Sequence, residues 1–305
     1  MGSEPVGVPP ATIRRLDAAS ALNVQRLLGD AARVDGFGAL SDQLAADLDD
    51  LIHGHRAPSV AIQLTDRADG LAGIGIASRR AGDWTMQTVT DPQHRNGVAP
   101  GQLVEGLLDT IAAHGGGQVD WWVFAPTPAD DAVAADAGLR VDRELLQMRR
   151  PLPTERRPDV ATRPFRPGQD EEAWLSVNNR AFAGHHEQHG WTLETLHQRM
   201  RQPWFDADDV RLYERDGRLA AFCWTKRHDA EHGEIYVIGV DPDFQRLGLG
   251  TQLTLAGLAH LAGRGITEAL LYVAAENSAA TAMYERLGFT VHRVDRAYVG
   301  TVRER

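Results

Sequence analysis

The sequence of 305 residues holds a single cysteine, Cys223, and a single lysine, Lys226, among its 32 basic residues. One cysteine excludes an intrachain disulfide, a CxxC redox pair and a cysteine-ligated zinc site, and it suits a reducing compartment. Long apolar runs are missing too. No stretch approaches the roughly 18 residues of a membrane span, and Met1 to Arg15 contain no apolar core of a secretory leader. A cytoplasmic protein is therefore expected. Positive charge is in the minority, 32 Lys and Arg against 42 Asp and Glu, and the net charge of −10 argues against a partner held by nucleic-acid phosphates or an anionic membrane. Small molecules are the expected partners. Heptads and interface stripes are also absent, so a monomer is expected. What remains, 43% apolar and 24% charged residues, is the composition of a folded globular protein. At about 150 residues per domain the length fits two domains.

The two halves repeat each other. Asp91-Pro92 recurs as Asp241-Pro242, an offset of 150 (241 less 91), and Leu103 with Leu253, Val123 with Val273, and Gly138-Leu139 with Gly288-Phe289 keep it. The division expected from this is 1–150 and 151–305, joined by an exposed linker at Arg149 to Pro158, where three prolines interrupt any helix or central strand.

In the second half, the runs 210–214 and 219–224 flank Asp216-Gly217, a hairpin signal, and a third strand over 234–240 ends at Asp241-Pro242. A helix through Leu255, Leu258 and Leu261 is closed by Gly263 and Gly265. Then come an apolar strand at 269–273, a helix over 278–287 ended by Gly288, and a last strand. A short strand near 162–165 and a helix over 170–182 precede them. This order predicts an α/β fold, a mixed sheet flanked by helices.

Between the third strand and the helix lies Gln245-Arg246-Leu247-Gly248-Leu249-Gly250-Thr251, where glycines let N–H groups converge at a helix N-terminus, an anion cradle. Neither G-x-G-x-x-G nor G-K-[ST] is present, and a G-x-G turn alone reads equally as a tight strand-to-helix connection. Its surroundings decide. The stretch from Val240 through Gly250, followed by Asn277 and by Ala279 to Phe289, resembles the paired signature of the GCN5-related N-acetyltransferase superfamily. The resemblance implies two tandem folds of that type, with acetyl-CoA as cosubstrate and no metal. It places the pyrophosphate on residues 245–251, the acyl end beside Ile238, Gly239 and Val240, and the pantetheine arm near Asn277. Further matches at Asn179 to Phe182, Glu187-Gln188, Trp191-Thr192, Pro203 to Asp206, Trp224 to Lys226 and Gly233 to Pro242 resemble a tandem branch of the superfamily. That branch acetylates the cysteinyl amine of a cysteinyl-glucosaminyl-inositol.

Acyl transfer from a thioester to an amine needs a neutral amine, a polarised carbonyl and a proton for the departing thiolate. Glu234, seven residues before Asp241, is the candidate base. Val240 N–H is the oxyanion donor implied by the resemblance. Tyr284 is the first candidate acid, since a phenol stays neutral at pH 7, and Tyr298 in the last strand is its rival; the alternative for either is a core tyrosine with a satisfied hydroxyl. Subtracting 150 from Glu234, Tyr284 and Tyr298 gives Trp84, Ala134 and Met148, so residues 1–150 are expected to lack transferase activity. The resemblance still implies an acetyl-CoA site there, at Thr88, Val89, Thr90, Arg95 and Gly97. For the acceptor it implies Asp35, Glu187, Lys226, Glu234 and Tyr284. Another small amine, a protein N-terminus or a non-catalytic acetyl-CoA-binding module remain alternatives. His185-His186-Glu187-Gln188-His189 lies between glycines and lacks the spacing of a helical zinc motif, so a substrate-facing loop is expected there. Cys223 sits in an apolar strand and reads as an inert buried thiol.

Overall fold

The structure, a computed structural model, describes residues 18–53, 60–67, 70–80, 82–95, 99–183 and 190–305. They form two compact units, Met1–Glu144 with Val294–Arg305, and Leu145–Arg293. In the first, α1 (Ala18–Asp35) and α2 (Asp42–His53) precede β1 (Val60–Arg67), β2 (Gly70–Arg80) and β3 (Asp83–Thr90). There follow α3 (Ala99–Ala113), β4 (Gly117–Phe124) and α4 (Pro128–Asp136). β5 (Arg140–Pro151) then leads into the second unit, with β6 (Arg163–Pro164), α5 (Glu171–Ala181), α6 (Leu193–Met200), β7 (Val210–Arg215), β8 (Arg218–Arg227) and β9 (His232–Val240). It ends with α7 (Leu249–Gly263), β10 (Glu268–Ala274), α8 (Ser278–Arg286) and the start of β11 (Thr290–Val302). The strands and helices expected between 162 and 288 are all present within a few residues of their anticipated ends; α6 was not anticipated.

The sheets cross the repeat boundary. β11, from the chain's end, pairs antiparallel with β4, Asp295 opposite Phe124 and Val302 opposite Gly117, and its Tyr298 is buried in the first unit's core. β5 pairs antiparallel with β10, Leu145 opposite Ala274 and Pro151 opposite Glu268, and its Met148 is buried in the second. A boundary at 150/151 therefore separates the repeats but not the compact units. β5 and β11 are equivalent under the 150-residue offset, so each presents the pairing edge the other sheet accepts. The expected linker shrinks accordingly. Arg149 and Arg150 are strand residues, Arg149 pairing with Glu268 at 2.9 Å, and Pro151 stands at the strand's end, where a missing N–H is tolerated.

In the second unit the sheet runs β5-β10-β9-β8-β7-β6. Asp216 and Gly217, at φ +54° and +73°, make the β7–β8 turn, the left-handed pair that matches strand twist. One face packs on α7, with Cys223 and Ile235 against Leu253, Leu258 and Leu261. The other carries Phe222, Trp224 and Val237 against Trp174 and Val177 of α5. Pairing steps from Trp224↔Val237 to Thr225↔Ile235, which leaves Tyr236 as the extra residue of a β-bulge. The bulge puts Tyr236 and Val237 on the aromatic face and returns Ile238 and Val240 to the α7 core.

Candidate active site

β9 and β10 run parallel but pair only over His232–Ile235 and Glu268–Leu271. Beyond Ile235 they separate, and the next residues of β10 remain paired to β5 alone. Residues 236–240 therefore keep one ladder edge free toward β10. Asp241 N–H donates to the Ala220 carbonyl on the β8 side at 2.9 Å. Backbone groups alternate along a strand, so Val240 N–H and Ile238 N–H point into the opening. At its end the chain turns through Arg246 and Gly248, at φ +62° and +73°, and Gly248 caps α7. A non-glycine residue held left-handed beside a left-handed glycine gathers N–H groups into a concavity that suits phosphate. Leu249 is buried beneath it, so it contributes only its backbone, whereas Leu247 is exposed. Close contact also shapes the far wall, since a Cβ on Gly250 would stand 3.4 Å from Met283 Sδ of α8. Asn277 caps α8, its Oδ1 accepting from Ala280 N–H at 3.1 Å. Thr251 lies in the first turn of α7.

Glu234 stands on the paired part of β9, only 6% exposed, with Lys226 directly opposite on β8. Its Oε2 is 2.8 Å from Nε2 of His228. Lys226 is 4% exposed, its Nζ 4.9 Å above the Trp204 ring and 5.9 Å above Tyr236, so aromatic faces hold the ammonium where water is scarce. Beside this group is an open depression of about 520 Å³ walled by Trp204, Phe205, Asp206, Arg227, His228 and Asp229. Tyr284, on α8, is 6% exposed and packs edge-on to Phe289; burial, with a further push from Cys223, raises its phenol above the ordinary value, so it stays protonated. The Cys223 thiol is fully buried and pushed up to about 12 by desolvation, which leaves it an inert core residue.

Several expected site residues fall elsewhere. Tyr298 is in the first unit, stacked on Trp121 with ring centroids 5.2 Å apart, its hydroxyl donating to Asp131 at 2.6 Å. Beside β10 its repeat-equivalent is Met148. Asp35 and Arg95, expected at different ligands, engage each other through two hydrogen bonds of 2.6 and 2.7 Å; the Asp35 bond is the main cause that raises the guanidinium above its ordinary value. Val89 is buried in the first unit's core, and Thr88 accepts from the Trp121 indole at 3.3 Å. There β3 and β4 also separate, pairing only from Trp84↔Val119 to Met86↔Trp121, so Thr88 and Thr90 border a similar opening. Trp84 and Ala134, in the places of Glu234 and Tyr284, are core residues. Gly97, Glu187 and the His185 to His189 run lie outside the described residues. Sequence reasoning missed His228, Trp204 and Tyr236. Among the described residues no cluster of His, Cys, Asp or Glu could hold a metal, and no helix is long and apolar enough to cross a membrane.

Comparison with known proteins agrees with this geometry. The Acetyltransferase (GNAT) family profile matches residues 171–289. A GCN5-related N-acetyltransferase from Sphaerobacter thermophilus superposes with a TM-score of 0.72 at 20% identity, covering 93% of each chain. A tandem GNAT protein from the clavulanic acid pathway gives 0.67 at 15% identity, over 94% of this chain and 96% of its own. Both show the fold. The mycothiol acetyltransferase of Thermobispora bispora is 42% identical over 88% of this chain and 92% of its own length. That of Streptomyces coelicolor is 41% identical over 90% of each. With two GNAT folds and relatives matched along nearly their full length, the chain belongs to the mycothiol acetyltransferase family.

Proposed function

We propose that the second unit transfers acetyl from acetyl-CoA to the cysteinyl amine of 1D-myo-inositol 2-(L-cysteinylamino)-2-deoxy-glucopyranoside, the last step of mycothiol biosynthesis. The observation that carries this is the early separation of β9 from β10, with a nearly buried carboxylate at its start and an anion cradle at its end. The thioester arm adds to the free edge of residues 238–240, with the pyrophosphate on the N–H groups of residues 245–251. Glu234 accepts the amine's proton. The neutral amine attacks the thioester carbonyl, whose oxygen gains charge against Val240 N–H. As the tetrahedral intermediate collapses the C–S bond breaks, Tyr284 gives its proton to the thiolate, and the attacking nitrogen releases its surplus proton to solvent, from which the tyrosinate is reprotonated. Lys226 offers three donors to acceptor oxygens.

The same reading makes the first unit non-catalytic, since no base or acid stands at Trp84 or Ala134. Its opening between β3 and β4 still suits an acetyl-CoA molecule that is held without turnover, provided the Asp35–Arg95 pair opens. The chain acts as a monomer in the cytoplasm, where its lone thiol stays reduced. The test is thiol release from acetyl-CoA with cysteinyl-glucosaminyl-inositol, against free cysteine and free glucosamine, for wild type and Glu234→Gln. Acceptor-dependent release is expected, with kcat lowered about 10²- to 10⁴-fold in the variant. No release with the full acceptor overturns the function, and equal rates in both proteins remove Glu234 as base.

A further inference from the structure

His228 is the one described side chain hydrogen-bonded to the Glu234 carboxylate, and it approaches from the depression. It closes β8, where its N–H donates to the His232 carbonyl at 3.0 Å, so the hairpin folds it back over the start of β9. Its side chain is 32% exposed against 8% for Glu234, and it borders the depression walled by Trp204 and Asp206. The pair thus joins a nearly buried carboxylate to a partly wet imidazole at 2.8 Å.

We infer that His228 is a positioning residue for acetyl transfer, its Nε2–H donating to Oε2 of Glu234 and fixing the carboxylate with Oε1 toward the acceptor amine. This rests on Glu234 being the base, as proposed above. A glutamate has three side-chain torsions, and burial alone does not choose its last one, which is broad and two-fold. Lys226 lies opposite Glu234 in register, and its ammonium is seated over Trp204 and Tyr236. A donor at fixed distance makes one carboxylate orientation the ground state, and a proton-abstracting atom must lie within hydrogen-bond reach of its proton. With Glu234 ionised, Nε2 must be the donor, which assigns the ring's tautomer when neutral. Among the residues that line the depression with His228, Asp206, Arg227 and Asp229 are the charged ones.

The test compares His228→Ala and His228→Gln, in the full chain, with wild type and Glu234→Gln. A Gln side-chain amide can place an N–H close to where Nε2–H stood. For His228→Ala, kcat is expected to fall about tenfold or more, the scale of one hydrogen bond to a charged group, with KM for acetyl-CoA unchanged. His228→Gln is expected to recover most of that loss. The inference is overturned if His228→Ala keeps the wild-type kcat, if its loss lies in KM for acetyl-CoA, or if Gln and Ala are equally impaired. Should the Ala chain fail to fold, a soluble Gln chain with near-wild-type kcat supports the role and one with kcat as low as Glu234→Gln overturns it. A wild type without acceptor-dependent release overturns the proposed function along with it. An active wild type, an impaired Glu234→Gln and an unimpaired His228→Ala overturn the positioning role alone.

Discussion

At Gly257, α7 lies close against β8 and β9. A Cβ there would lie 2.6 Å from Cys223 Sγ, 2.7 Å from Ile235 Cδ1 and 3.3 Å from Thr225 Cγ2. Ordinary contacts fall near 3.5–4.0 Å, so Gly257→Ala asks the helix or the strands to move by about 1 Å. Ile235 can swing its terminal methyl, but Cys223 Sγ has one rotatable bond inside a closed core. Overpacking of this kind costs about 1–3 kcal/mol, and replacing glycine within a helix returns about 1 kcal/mol, leaving a net destabilisation of about 0–2 kcal/mol. At about 2–4 °C per kcal/mol for a unit this size, Tm falls by up to about 8 °C. Cys223→Ala removes the obstructing sulfur, so the double variant is expected to be less destabilised than the two single losses added together. The coupling should reach about 0.5 kcal/mol or more, readable in thermal or denaturant unfolding of the four proteins. Additive losses would refute the assignment of Cys223 as the obstacle. Because Gly248 and its turn ride on the same helix, KM for acetyl-CoA should rise in Gly257→Ala and recover in the double variant.

Tyr284→Phe should lower kcat about 10²-fold with the fold intact, since only the hydroxyl is lost; an unchanged kcat in the thiol-release assay would exclude the phenol as proton donor. Asp209 is buried, and burial alone would raise its carboxyl, but His260 Nε2 at 2.7 Å and Arg227 Nε at 3.1 Å hold it below the ordinary range. A depressed folded-state value contributes stability that is present above the unfolded value of about 3.9 and lost as pH falls through the lower folded one. Asp209→Asn should therefore lose most Tm near neutrality and converge on wild type below about pH 4, and a gap constant with pH would contradict this. Truncation after Arg293 removes the strand beside β4 and takes Tyr298 from the first core. Hydrogen exchange should accelerate across residues 99–144 and stay slow in α7, and equal protection in both chains would speak against the strand's structural role.

Periodicity and turn chemistry made the second unit's elements legible, because Asp216-Gly217, Asp241-Pro242 and Gly288 punctuate them with residues few other backbones accept. The glycine turn that opens α7 was legible for the same reason. His228 was not. It stands six residues before Glu234, across a hairpin, and only the register of β8 and β9 folds one onto the other. Trp204 belongs to the connection after α6, and its contact with Lys226 joins residues 22 positions apart in the chain. The place of Tyr298 in the first unit's core was not legible for a related cause: a repeat tells which strands are equivalent, and equivalence is what allows them to trade sheets. Local sequence carries no signal of that trade, since β5 and β11 satisfy the same pairing rules in either place.

The crossing of strands also fixes an order of completion. Unit Leu145–Arg293 is continuous, so every strand of its sheet has been synthesised before residue 294 is added. The first unit must wait for Val294–Arg305 although the rest of it is made earliest, reversing the usual N-terminal-first order. In the interval the outer edge of β4 stands open, and an open edge accepts any strand of suitable pattern. β5 is that strand, made next and equivalent to β11, so the growing chain carries its own competitor for the place β11 must fill.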